Sequence, residues 1–140
     1  MDSPSLDLKM VLLAILATES QRRGQTSTAD RFLVAAGHTA CHAGWLNVAR
    51  RCHQLVLRNN ARHWLARYPS LPDAIRNTTE TAPLFRHAEA ICSLETAEHH
   101  VHQLGLQSLA DQLLADPGPA TLALLTANPW PSPDATVESD

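Results

Sequence analysis

Trp45-Leu46-Asn47-Val48-Ala49-Arg50-Arg51-Cys52-His53-Gln54-Leu55-Val56-Leu57-Arg58 is the stretch whose reading decides the fold. Wound as an α-helix, it puts Trp45, Val48, Ala49, Cys52, Leu55 and Val56 on one stripe. Asn47, Arg50, Arg51, Gln54 and Arg58 then fall on the opposite stripe. Composition agrees with a helical reading. The 44% apolar content is rich in Ala and Leu, and Trp45, Trp64, Trp130, Tyr68, Phe32 and Phe85 are the only aromatics. Ala and Leu lose little freedom in a helix, whereas strands favour the β-branched and aromatic residues that are scarce here. The expected fold is all-α, a compact bundle of five to seven short antiparallel helices. Residues 1–127 form the single helical domain, and residues 128–140 a Pro-rich, acidic, disordered tail.

Outward from this stretch the punctuation is regular. Leu6 to Arg22 reads as a first helix that Ser3-Pro4 opens and Gly24 ends. Its run Met10-Val11-Leu12-Leu13-Ala14-Ile15-Leu16-Ala17 is apolar on all sides, which marks a buried central helix. The run is far short of the ~20 residues needed to span a bilayer. Asp2 and Asp7 outweigh Lys9 ahead of it, against a signal peptide. Ser27 and Asp30 read as a capping box for a second helix ending near Ala43-Gly44. A short helix over Arg62–Tyr68 is halted by Pro69, and Ser70 caps another through Arg76. Asn77 to Thr81 reads as a polar loop. Pro83 to Gln103 is one long helical region, with Ser93 a point where a second segment can start. Helical pieces follow from Ser108 to Ala115 and around Leu122–Thr126.

Between Leu33 and Ala61, Gly37, Gly44 and Ala49 sit at the spacing of the two glycines and central alanine of a tetratricopeptide repeat, and this hairpin resembles that family. Small residues on the second helix let the third approach closely, and Gly44 supplies the tight turn. Leu33, Ala36, Ala40, His53 and Ala61 stand where the family usually has Trp, Leu, Tyr, Phe and Pro, and no copy lies 34 residues away. The resemblance implies a protein- or peptide-binding scaffold with a concave helical surface.

Charge singles out the same region. From Arg31 to Pro72 there are six arginines and no acid, while residues 73–140 hold ten acids and two arginines. The net charge of −3 conceals this polarity. Arg50, Arg51, Gln54 and Arg58, with Arg62, His63 and Arg67, form the expected partner-binding surface. Their donors suit carboxylates or phosphates. A protein partner with an acidic surface is the first expectation. Nucleic acid is the alternative, with Trp64 and Tyr68 as stacking faces. The sequence pI near 6.2 and the single lysine weigh against it. A third use of the charge is internal, with the acidic C-terminal half docked on the basic middle. No membrane partner is expected, and an apolar face could serve a homodimer.

Histidine is abundant, with eight in the chain. His38, Cys41 and His42 share a helix face at i, i+3 and i+4. With Glu95 and His99 from another helix they are the candidate zinc ligands, although no CxxC pair frames them. Ordinary helix-surface and core histidines explain the pattern more cheaply, and no cofactor is expected. Enzyme signatures are missing. There is no HExxH, no Glu-x-x-His and no glycine-rich phosphate loop. His87-Ala88-Glu89 lacks the cysteine half of a zinc deaminase motif. Cys52, on the apolar stripe, reads as a buried structural thiol. Three cysteines, odd in number and widely spaced, suit reduced thiols in a cytoplasmic protein. The function expected is a non-enzymatic interaction module.

Overall fold

A computed structural model describes residues 3–131, and the described part is entirely helical. The α-helices are α1 (Ser3–Arg22), α2 (Thr26–Ala43), α3 (Leu46–Asn59), α4 (Leu71–Arg76), α5 (Thr78–Ile91), α6 (Leu94–Gln103), α7 (Gln107–Leu114) and α8 (Pro117–Thr126). A 3-10 turn over Trp64–Arg67 joins α3 to α4. Eight α-helices among the described residues exceed the five to seven expected. The region from Pro83 to Gln103 divides at Cys92-Ser93, where the Ser93 side chain accepts the Thr96 N–H and opens α6. The piece expected near Leu122 begins at Pro117, a residue suited to a first helical turn. Asn77–Thr81 is not a loop: α5 starts at Thr78, with Thr81 Oγ1 donating to the Ala74 and Asn77 carbonyls.

α1 is the centre. Met10 to Ala17 are each at most 5% exposed, so the run that is apolar all round is covered all round. α2 packs along it, and α3 packs on α2. Side-chain pairs fix the directions. Asp7 near the start of α1 accepts from Trp45 Nε1 at 2.7 Å just before α3. Gln21 near the end of α1 bonds Asn59 at the end of α3. α1 and α3 therefore run parallel, with α2 antiparallel to both. Gly44 makes the reversal possible: its φ of +89° is the left-handed cap that ends α2. Gly37 lets α2 and α3 close up, since a Cβ there would stand 3.1 Å from Cys52 Cβ. The Ser27–Asp30 capping box does not form, because α2 begins at Thr26 and Asp30 is buried, accepting from Asn59 Nδ2 at 2.9 Å.

α8 lies on α1 and α3, α6 and α7 lie on α1, and α4 and α5 lie on α2. Beyond α8 the chain returns one side chain, Trp130, to the core. Trp130 is 4% exposed and donates from Nε1 to Thr18 Oγ1 at 3.0 Å. Trp130, which falls in the stretch expected to be a Pro-rich tail, is thus anchored by an indole with a buried partner. The remainder of that tail, residues 132–140, lies outside the described residues. No helix among the described residues is long and apolar enough to cross a membrane.

Candidate functional site

The seven residues expected to form one binding surface divide into three groups. Arg50, Gln54 and Arg58 are exposed on the outer face of α3. With Arg51, Leu55, Leu57 and Pro131 around them, Gln54 and Arg58 line a shallow cleft of about 300 Å³. Arg51 departs from this group. It is 4% exposed and turned inward, donating from Nε to the Leu125 carbonyl at 3.0 Å and from Nη2 to the Pro131 carbonyl. Burial, then the neighbouring Arg58 charge, lowers its pKa, with the Cys52 sulfur opposing. Arg51 is a clasp on the C-terminal segment and not a solvated donor.

Arg62 and Arg67 are exposed on the segment between α3 and α4. His63 between them acts locally, its Nδ1 accepting the Leu65 N–H at 3.1 Å to cap the 3-10 turn. It lines a different cleft, with Asp30, Arg31, Trp64 and His87. The acid-bearing helices α5, α6 and α7 pack chiefly on α1, α2, α4 and α8, and α3 packs chiefly on α2, α8, α4 and the 3-10 turn. Among the described residues, the acid-bearing helices α5, α6 and α7 are therefore not laid along the outer face of α3.

A second cluster joins α1, α2 and α5. Glu89 sits between two donors: Lys9 Nζ on Oε2 and His38 Nδ1 on Oε1, the latter at 2.9 Å. Burial would raise the Glu89 pKa. Hydrogen bonds from His38 and Lys9, with their charges, outweigh it and hold the carboxylate below its ordinary value. An ionised Glu89 only accepts, so His38 carries its proton on Nδ1. His38 Nε2 then faces His42 Nε2 at 3.3 Å, the rings edge to face. Phe85 stacks on His38 with centroids 4.6 Å apart. Sequence reasoning paired His38 with His42 by their i,i+4 spacing but missed Lys9 and Glu89. Their separation of 80 residues leaves no local signal.

The zinc set expected from two helices does not assemble. Glu95 and His99 are exposed on α6, which packs on α1 and α7, whereas His38 faces α5. Among the described residues no three of His, Cys, Asp and Glu gather into a group able to hold a metal ion. Cys41 is half-buried, and burial pushes its thiol up to about 11, which disfavours the thiolate a metal needs. Cys52 is wholly buried with its thiol pushed up to about 12, chiefly by burial, which suits a structural thiol.

Comparison with protein-family models, with curated proteins and with solved structures finds no match.

Proposed function

We propose that this chain is a non-enzymatic helical interaction module that takes an acidic protein segment on the outer face of α3. The observation that carries this reading is the placement of charge. Arg50 and Gln54 are exposed on α3, Gln54 beside a cleft whose walls include Leu55, Leu57, Arg58 and Pro131, and among the described residues the acid-bearing helices α5 to α7 pack elsewhere. Guanidinium groups beside apolar carbon suit an acidic peptide that also carries an apolar side chain, the charges steering and the apolar contact holding. The α2–α3 hairpin, with its tetratricopeptide-like Gly37, Gly44 and Ala49, fits use as a scaffold for such a face. Three free thiols, two of them buried, suit a reducing cytoplasmic setting.

The test uses a glutamate-rich peptide bearing one leucine, titrated by fluorescence anisotropy against the wild type and an Arg50→Glu, Arg58→Glu double variant. Arg51 is left in place because it is structural. The double variant should lose at least about tenfold in affinity while its helical far-ultraviolet circular dichroism is retained. Equal affinities would reject the α3 face. A single-stranded oligonucleotide that binds with a steep log–log salt dependence, where the peptide does not bind, would transfer the face to nucleic acid.

A further inference from the structure

We propose that His38 and His42 form a two-histidine chelate for a borderline divalent cation of the zinc or copper class, with Glu89 as the residue that orients it. Residues four apart on a helix stand one above the other, so α2 presents the two rings side by side. Their Nε2 atoms are 3.3 Å apart. With Zn–N bonds of about 2.0–2.1 Å, that separation corresponds to an N–Zn–N angle of about 104–111°, close to tetrahedral. With the His38 proton on Nδ1, His42 Nε2 is the donor between the two rings. On metal binding His42 would carry that proton on Nδ1 instead, so both imidazoles ligate as neutral groups and no proton is lost.

The surroundings supply what a ligating imidazole requires. A metal-bound histidine almost always donates its other ring nitrogen to a carboxylate or carbonyl, which fixes the tautomer and raises the basicity of the ligand. Glu89 does this for His38 Nδ1 at 2.9 Å, and Lys9 holds Glu89 in turn. Phe85, stacked on His38, fixes the plane of the ring. His42 is exposed, and both histidines border a cleft of about 250 Å³ that leaves room for water or a further ligand in the open positions. Imidazole nitrogens are the wrong donors for a hard ion such as calcium, which takes oxygen ligands.

Calorimetric titration of the purified full chain with Zn²⁺, and separately with Cu²⁺ followed by electron paramagnetic resonance, tests the site. One equivalent should bind, and the Cu²⁺ spectrum should show nitrogen hyperfine structure. His42→Ala, at an exposed position, should fold normally and lose that equivalent. Glu89→Gln should retain it with affinity reduced roughly 10–100-fold. The same stoichiometry and affinity in His42→Ala as in the wild type would overturn the site, the metal then residing on other histidines. Unchanged affinity in Glu89→Gln would overturn the role of the carboxylate.

Discussion

The Arg51 guanidinium reaches from α3 to the Leu125 carbonyl at the end of α8, donating from Nε across 3.0 Å. Nη2 of the same group takes the Pro131 carbonyl, so one side chain ties two points of the C-terminal segment to the hairpin. Arg50, its neighbour in sequence, is exposed. Two adjacent arginines thus do different work, and a charge-reversal experiment that treats them alike would confuse unfolding with lost binding.

Arg51→Met should therefore destabilise the protein by about 1.5–3 kcal/mol, since hydrogen bonds from a charged donor are lost and a carbonyl is left without its partner. Arg50→Met should stay within about 0.5 kcal/mol of the wild type, as exposed substitutions usually do. Urea denaturation of both variants checks the contrast. Equal stabilities would mean that the clasp contributes nothing.

Gly118 closes the other end of the α3–α8 contact. A Cβ at this buried glycine would stand 2.7 Å from Trp45 Cδ2 and closer still to Cε3 and Cζ3. The indole cannot retreat easily, because its Nε1 is held by Asp7. Gly118→Ala should cost about 1–3 kcal/mol by overpacking. The smaller Leu at Trp45 should make the same change nearly free, so a double-mutant cycle with Trp45→Leu should give a large coupling. A tolerated Gly118→Ala in the wild-type background would show that α8 can shift away from the ring.

Much of this architecture was legible locally. The run Met10–Ala17 announced its own burial, and Ser70 and Ser93 each cap a helix as their chemistry suggested, accepting the Asp73 and Thr96 N–H groups at 3.2 Å. Failures came where a distant partner decided the outcome. Asp30 looked like a capping residue until Asn59 claimed its carboxylate. Arg51 lies at the edge of the polar stripe, about 100° from both Arg50 and Cys52, and periodicity does not say to which side an edge residue turns. Two carbonyls on and beyond α8 settled it. The i,i+4 spacing exposed the His38–His42 pair, but the Lys9–Glu89 support joins α1 to α5 and has no signature in either segment. Trp130 fell in a Pro-rich acidic stretch whose composition hid its buried bond to Thr18.

Thr121 offers a gain in stability. Its hydroxyl on α8 is fully buried and has no hydrogen-bond partner among the described residues. An orphaned buried hydroxyl costs about 1–3 kcal/mol, whereas a methyl group of similar shape has no such need. Thr121→Val should raise stability by about 1 kcal/mol in urea or thermal melts. A loss instead would reveal a partner for the hydroxyl in solution, such as an ordered water.

His63 should make the bundle sensitive to mild acid. Burial, then the neighbouring His53, lowers its pKa below the ordinary 6.5, and its Nδ1 lone pair accepts the Leu65 N–H. Protonation removes that acceptor and places a donor against a donor. Because the unfolded chain binds the proton more readily than the folded one, stability rises with pH across the interval between the two pKa values. The contribution is complete above about 6.5 and is lost as pH falls through the lower, folded value. Asn at position 63 could still cap the turn but would not titrate. Urea melts of the wild type and His63→Asn, run with chelator from pH 7.5 to 4.5, should diverge in that interval, the wild type falling more steeply. Part of the slope should persist in the variant, because burial, then His38, lowers the His42 pKa in the same direction. Parallel pH profiles would show that the cap survives protonation and that His63 is not the source of the acid sensitivity.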